Sequence, residues 1–160
     1  MIDILIGTLS CGKTSFANDV KKLAAAREHV RIFSKDAFHK TGARFDKSQI
    51  QPAQDWCFRS FIEELITIED EKRKTSSCRL IIDSQNTTIS EIAPYYQAGR
   101  SFGHDVTMHL WKGTASDVSS WARDSAAKAE YNVVASMNNR VCEMKFPRFW
   151  IYKVDNHAGR

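Results

Sequence analysis

The feature that most constrains this 160-residue chain is a glycine-bounded turn directly after its first apolar run. Residues 1–6 are apolar apart from Asp3, and residues 7–14 spell G-T-L-S-C-G-K-T, which fits the pattern G-x-x-x-x-G-K-[ST]. The glycines allow backbone angles at which successive amide N–H groups point inward and form a concave anion site. A helix beginning near Lys13 would add the positive end of its dipole. The sequence therefore predicts a strand, a phosphate-binding loop and a helix in that order.

Each part of this loop has an expected task in binding a nucleoside triphosphate. Lys13 is expected to reach the β- and γ-phosphates, and the Thr14 hydroxyl to bind Mg²⁺. The predicted nucleotide-binding residues are Gly7, Thr8, Leu9, Ser10, Cys11, Gly12, Lys13 and Thr14. ATP and Mg²⁺ are accordingly the expected cofactors. The alternative interpretation is a tight strand–helix turn that binds no nucleotide.

Apolar runs alternate with helical periodicity along the rest of the chain, which is typical of an α/β domain with a mostly parallel sheet. The expected architecture is a P-loop NTPase-type sheet of four to five strands flanked by helices, an α/β/α sandwich, in a single domain over residues 1–160. Strands are predicted at residues 1–6, 29–33, 79–83, 105–111 and near 149–154, and the later helices at 52–73, 90–102, 116–125 and 130–141. The core stripe predicted for the longest helix is Trp56, Cys57, Phe61, Leu65 and Ile68.

Acidic residues follow two of the predicted strands. Asp36 comes shortly after the strand at 29–33, and Asp83 ends the strand at 79–83. Because ligands of parallel α/β sheets bind outside the carboxyl ends of the strands, both carboxylates should lie at the same edge as Lys13. Asp36 is a candidate general base for an acceptor hydroxyl, with a turn or helix cap as the alternative. Asp83 follows an apolar run, as in a Walker B strand, and is expected to hold Mg²⁺ or its waters; orientation of an acceptor-side basic group, or a cap, are the alternatives.

Two further polar residues are candidates for this site. Arg123, in the helix predicted at 116–125, is positioned along the chain to stabilise charge on a transferring phosphoryl group, and a solvated helix arginine is the alternative. Asn86 either forms a hydrogen bond in the site or shapes the turn after Asp83.

Composition limits the class of protein. Hydrophobic residues make up 42% of the chain and charged residues 26%, as in an ordinary globular protein. The formal net charge of +4 is compatible with polyanionic partners and equally with an ordinary surface. With neither a signal-peptide pattern nor an apolar run of membrane-spanning length, a cytoplasmic protein without a membrane partner is expected. The four cysteines lack zinc-ligand spacing and are predicted to be free thiols.

Taken together, the phosphate loop, Lys35-Asp36, the stretch Asp83-Ser84-Gln85-Asn86 and Arg123 resemble the polynucleotide 5′-kinase branch of the P-loop kinases. The resemblance covers most of residues 1–140. It implies that Asp36 activates a 5′-hydroxyl, that Lys13 and Thr14 handle the donor phosphates and metal, and that Arg123 belongs to a lid around residues 112–130.

The chain departs from this family on the acceptor side. Where the family has an arginine that binds the acceptor phosphate, this sequence has Ala37-Phe38-His39-Lys40. His39 or Lys40 is the candidate replacement, although neither offers the bidentate fork of arginine. The lid also carries Arg123 where the family often has two arginines. The predicted substrate-binding residues are Asp36, His39, Lys40, Asp83 and Asn86.

The leading expectation is an ATP-dependent kinase that phosphorylates the 5′-hydroxyl of DNA or RNA ends, as in nucleic-acid repair. The alternatives are a small-molecule, nucleoside or nucleotide kinase and, from a different class, a non-catalytic nucleotide-binding module. A GTPase switch is disfavoured because the sequence has neither an N-K-x-D nor a D-x-x-G element.

The segment at residues 145–154 interleaves basic and aromatic residues. Such a surface is able to stack bases and attract backbone phosphates. The alternative is a core or oligomer-interface strand, which makes a homo-oligomer a candidate assembly.

Overall fold

The computed structural model describes residues 1–24, 28–39, 47–70, 77–125 and 130–157. Within these residues a single sheet has the strand order β2-β3-β1-β4-β5, and every neighbouring pair is parallel. The strands are β1 (Ile2–Ile6), β2 (His29–Phe33), β3 (Cys78–Asp83), β4 (Val106–Trp111) and β5 (Lys153–His157). The predicted parallel α/β architecture is therefore confirmed.

Five helices flank the sheet in the described ranges: α1 (Lys13–Leu23), α2 (Ile50–Asp70), α3 (Ile89–Ser101), α4 (Ala115–Asp124) and α5 (Tyr131–Glu143). Short 3₁₀ helices at Lys35–His39 and Lys47–Gln49 lie between β2 and α2. Capping boxes define the starts of α3 and α4, where Thr88 pairs with Glu91 and Thr114 with Asp117. No helix in the described parts of the chain is both long enough and apolar enough to cross a bilayer.

The sheet is buried on both faces, as expected for parallel strands covered by crossover helices. Alternate residues such as Ile4 and Ile82 pack on one face in the same cluster as Phe61 of α2. On the other face Leu5 belongs to a cluster that includes Trp121 of α4. These two helical layers hold the carboxyl ends of the strands at one edge, where the phosphate loop begins.

Two structural expectations are wrong, one about the buried face of α2 and one about the bounds of the last strand. Trp56 was expected in the core stripe of α2, but its side chain is 42% exposed, whereas Cys57 and Phe61 are fully buried. A step of one residue turns the helix by about 100°, so Trp56 and Cys57 cannot both face the sheet. The predicted bounds of the last strand are also wrong, because β5 begins only at Lys153.

The residues just before β5 pack on α3 instead of pairing in the sheet. Trp150 stacks on Tyr96 with ring centroids 4.1 Å apart. The backbone N–H of Ile151 donates to the Tyr96 hydroxyl at 2.7 Å. Phe149, in contrast, is 81% exposed. The basic and aromatic segment is thus anchored by one buried tryptophan and presents other apolar side chains at the surface.

Candidate phosphoryl-transfer site

The phosphate loop lies between the end of β1 and the start of α1, as the sequence predicts. Gly7 has no room for a side chain, since a Cβ built there would lie 2.7 Å from Cys11 Sγ and 3.0 Å from Trp111 Cβ. Gly12, the residue before α1, has φ of +102°, and Ser10 has φ of 56°. These left-handed angles are the ones that turn successive amides toward a common centre. Residues 10–15 line a pocket of about 160 Å³.

The side chain of Lys13 is folded into this loop. Its ammonium donates to the carbonyl oxygen of Gly7 at 3.0 Å and to that of Thr8, and lies 3.5 Å from Cys11 Sγ. Lys13 is almost fully buried. The Lys13 ammonium therefore lies beside the amides of the loop. This combination suits a polyphosphate.

Thr14 and Asp83 form the second part of the site. The Thr14 hydroxyl donates to Asp83 Oδ2 at 2.8 Å, joining the first turn of α1 to the end of β3. Burial raises the pKa of Asp83 above its ordinary value and the nearby Asp36 charge adds to this rise, while the Thr14 hydrogen bond and the Lys13 charge oppose it. A hydroxyl and a carboxylate side by side are the hard oxygen donors that Mg²⁺ prefers. The residues present therefore fit the expected ion.

Asp36 lies at the same edge of the sheet, in the first turn of the 3₁₀ helix after β2. Its backbone N–H donates to Ser34 Oγ at 3.3 Å, and its side chain is exposed. Phe33, the last residue of β2, is the register partner of Ile82, so Asp36 lies three residues beyond β2 at the same edge of the sheet as Asp83. Lys13, Asp36 and Asp83 are therefore at one sheet edge, and their roles stay predictions.

Asn86 holds the turn after β3 in place next to the candidate site. It is buried, has φ of 49°, and its Nδ2 donates to the carbonyl oxygen of Leu5 at 2.8 Å. The neighbouring carbonyl of Gln85 accepts from the Gly7 N–H at 2.9 Å. These bonds tie the turn after β3 to the end of β1. Asn86 also lines a separate cleft together with Lys35, the residue before Asp36.

That cleft was not anticipated from the sequence. It has a volume of about 370 Å³ and is enclosed by the first 3₁₀ helix, α2, α3 and the turn after β3. Its lining residues are Lys35, Gln51, Gln54, Asp55, Phe58, Asn86, Ser90, Glu91, Pro94 and Tyr95. Polar residues near the start of a helix suggest a solvated face when only the sequence is known, and only the packing of α2 beside α3 makes them the wall of a cavity.

Within the described residues, the contacts of Arg123 lie on its own helix and not on the phosphate loop. Arg123 is 76% exposed on α4, where its guanidinium donates to Ser120 Oγ at 3.4 Å and lies 3.6 Å from Asp124 Oδ1. His39 ends the first 3₁₀ helix, and Lys40 lies outside the described residues. The proposed lid at 112–130 is described through residue 125 and at residue 130. The roles of these residues stay predictions.

A buried ion cluster crosses the sheet behind the loop, and sequence reasoning did not find it. The fully buried carboxylate of Asp3 accepts from Arg79 Nε and lies 3.0 Å from His109 Nε2. His109 Nδ1 is 3.0 Å from His157 Nε2. Burial disfavours the charge on Asp3, but the hydrogen bonds and charges of His109 and Arg79 outweigh it and hold the pKa below its ordinary value. The available signal was an aspartate inside an apolar strand, which requires a partner.

This cluster is connected to the loop through aromatic rings. His157 stacks on Trp111 with centroids 4.2 Å apart, and Trp111 borders Gly7 and Gly12. Phe16 of α1 lies 4.8 Å from the His109 ring and 5.5 Å from that of Trp111. The aromatic rings therefore lie between the phosphate loop and the ion cluster and contact both.

No protein-family model and no curated protein sequence matches this chain. Solved structures do resemble it. Kti12 of Chaetomium thermophilum, in complex with ADP-AlF3, superposes with a TM-score of 0.64 at 13% identity, over 99% of this chain and 89% of that one. A gluconokinase from Sinorhizobium meliloti 1021 gives a TM-score of 0.58 at 10% identity, over 98% and 81% of the two chains.

The tunicamycin resistance protein of Deinococcus radiodurans is a third structural neighbour, with a TM-score of 0.54 at 12% identity over 88% of this chain and 79% of that one. At these identities the likeness concerns the path of the backbone and carries no information about the acceptor. Combined with the five parallel strands and the loop at residues 7–14, it shows that the chain has a P-loop NTPase-type α/β/α fold.

Proposed function

We propose that this chain is an ATP- and Mg²⁺-dependent kinase that transfers a γ-phosphoryl group to an acceptor hydroxyl. The observation that carries the proposal is that the Lys13 ammonium, the Thr14–Asp83 pair and Asp36 all lie at one edge of the sheet. A phosphate-binding loop alone fits any triphosphate-binding protein. The additional exposed carboxylate of Asp36, outside the Thr14–Asp83 pair, is what favours transfer to a hydroxyl.

Each residue has a defined part in this chemistry. The loop amides and Lys13 bind the β- and γ-phosphates and neutralise charge that develops as the γ-phosphoryl group departs from ADP. Thr14 and Asp83 would hold Mg²⁺, which would supply Lewis-acid stabilisation of the phosphate charge. As the acceptor oxygen bonds to the γ-phosphorus, the bond to the bridging oxygen of ADP breaks and Asp36 takes the acceptor proton. Arg123 is the proposed lid residue over the transferring group.

The acceptor proposed from the sequence resemblance is the 5′-hydroxyl of a DNA or RNA end, with Asp36, Asn86, His39 and Lys40 on the acceptor side. The net charge of +4 and the exposed Phe149 beside Arg148 support a nucleic-acid partner. On this proposal the protein acts in the cytoplasm as a single domain, and its exposed apolar side chains at 149–154 favour self-association.

A second candidate is a kinase for a free small molecule. The observation that favours it is the cleft of about 370 Å³ beside Asp36, which has the size of a small-molecule site. One structural neighbour is named a gluconokinase, so gluconate is a rational member of any acceptor panel.

A transfer screen with γ-labelled ATP tests the proposal. The acceptors are 5′-hydroxyl DNA and RNA oligonucleotides, nucleosides, nucleoside monophosphates and gluconate, and we expect Mg²⁺-dependent label on at least one hydroxyl acceptor. Lys13→Ala should abolish transfer together with ATP binding, whereas Asp36→Asn should abolish transfer and retain ATP binding. The outer-surface variant Glu63→Gln on α2 is the control. ATP binding without transfer to any acceptor would favour a non-catalytic nucleotide-binding module.

A further inference from the structure

The walls of the cleft beside Asp36 are suited to a nucleobase. Phe58 and Tyr95 form an edge-to-face pair with ring centroids 5.3 Å apart, and both line the cavity. Gln51 and Gln54, on the same helix as Phe58, carry side-chain amides, which both donate and accept hydrogen bonds. An aromatic surface with amides at its margin is a common way to bind a base. The volume of about 370 Å³ is close to the lower limit of roughly 300 Å³ for small-molecule sites, so it holds one such unit.

The position of the cleft connects it to the proposed reaction. Lys35, which lines it, directly precedes Asp36, and Asn86 lies in the turn that follows Asp83. A molecule in the cleft therefore contacts the residue that precedes the proposed base and the turn that follows the metal-binding Asp83.

The charge of the described walls disfavours phosphate. They contain one ammonium, Lys35, and two carboxylates, Asp55 and Glu91, a net charge of −1. Lys35 Nζ lies 3.6 Å from Glu91 Oε1, so its charge is already compensated. Asp55 accepts a hydrogen bond from Gln51 Nε2 at 2.7 Å, but an amide cannot neutralise a carboxylate. A phosphate entering the cleft would meet the repulsion of Asp55 with no available cation among the described lining residues.

We infer that this cleft binds an unphosphorylated acceptor of nucleoside size, and that Asp55 and Glu91 are specificity-determining residues which disfavour phosphate on that acceptor. The inference rests on the proposed kinase function and selects between its two acceptor classes. It favours a free nucleoside over the end of a polynucleotide, because the terminal nucleoside of a polynucleotide carries a 3′-phosphate.

The test compares each of the four common ribonucleosides with its 3′-monophosphate as acceptor for the full chain with Mg²⁺-ATP. We expect kcat/KM for the better nucleoside to exceed that for its 3′-monophosphate by about tenfold or more at low salt, with the ratio falling as salt is added. Asp55→Asn and Glu91→Gln should each narrow the ratio by raising kcat/KM for the 3′-monophosphate. The effect should be larger for Glu91→Gln, which also releases Lys35.

These variants are chosen so that folding is preserved. Asparagine retains an oxygen that accepts from Gln51, and glutamine at position 91 preserves the type of capping box seen at the start of α3. Glu63→Gln removes one exposed carboxylate from α2 outside the cleft and is the matched control. Its acceptor ratio should equal that of the parent.

The remaining outcomes separate the inference from the function on which it rests. A parent protein that prefers the 3′-monophosphate, or variants that leave the ratio unchanged, would overturn the inference. Transfer to 5′-hydroxyl oligonucleotides but to no nucleoside would overturn it while supporting the kinase. Retained Mg²⁺-ATP binding without transfer to either probe also counts against it. Loss of the proposed function itself would show as an absence of triphosphate binding in the parent protein.

Discussion

Replacing Asp3 by asparagine tests how strongly the buried ion cluster stabilises the platform under the phosphate loop. The Asp3 side chain is 1% exposed and interacts with Arg79, whose side chain is 23% exposed. Removing one partner of a buried ion pair costs roughly 3–5 kcal/mol. Because asparagine keeps one acceptor and Arg79 reaches solvent in part, we expect a loss at or below the bottom of this range, about 2–3 kcal/mol. For a protein of this size that is about 4–12 °C in Tm.

The pH dependence of this loss gives the prediction its specificity. The pKa of Asp3 is lowered in the folded protein, so its stabilising contribution is fully present above the ordinary value of 3.8. It disappears as the pH falls through the lower folded value. The difference in unfolding free energy between parent and Asp3→Asn should therefore shrink as the pH falls below about 4.

Urea unfolding followed by tryptophan fluorescence measures both quantities. Asp19→Asn, at an exposed position on α1, is the matched control and should lie within about 0.5 kcal/mol of the parent protein. A loss below 1 kcal/mol for Asp3→Asn at pH 7 would refute the argument. So would a difference that grows as the pH falls, since the carboxylate would then contribute nothing as an anion.

Three other predictions concern the loop and its metal-binding partner. Asp83→Asn should raise Tm at pH 7, because the raised pKa of Asp83 means that its buried charge destabilises the fold. In the same variant, Mg²⁺-dependent transfer should fall at least about a hundredfold. Gly12→Ala should cost about 1–2 kcal/mol in denaturant unfolding, because φ of +102° is unfavourable for alanine, and calorimetry should show weaker ATP binding. Maleimide should label exposed Cys142 before Cys11, since burial shields Cys11 and raises the pKa of its thiol; mass spectrometry of digests would reveal the order.

The central part of the fold was accessible from sequence because its signals are local. The short apolar runs of β1 and β3 are buried on both faces, and their bounds were predicted to within one residue at each end. The bounds of β5 were not predicted correctly, because Lys153, Asp155 and Asn156 are polar and exposed at the sheet edge. The aromatic residues before it resemble a strand in composition, yet Trp150 packs on α3. Composition alone could not distinguish pairing from packing here.

The candidate site likewise has a part that the sequence predicts and a part that only the structure reveals. The loop is contiguous in sequence, and the strand-end rule located Asp36 and Asp83 without a structure. The ion cluster joins residues far apart in the chain, with Asp3 bonded to Arg79 76 positions away and to His109 106 positions away. The cleft likewise depends on how α2 and α3 pack. Such pairs leave no local pattern, so their discovery required the tertiary structure.

The two hydrogen bonds between the ends of β1 and β3 have a consequence for how catalysis would be controlled. The phosphate loop is joined to the turn after Asp83 by the bond from Gly7 to Gln85 and the bond from Asn86 to Leu5, so the two segments form one unit. These bonds fix the backbone of the donor half, so a nucleotide would spend little of its binding free energy on organising that backbone. Asp36, on a short 3₁₀ helix with an exposed side chain, lies outside these two bonds. In the proposed reaction, alignment of the acceptor with a donor backbone that is already in place would then set the timing of transfer.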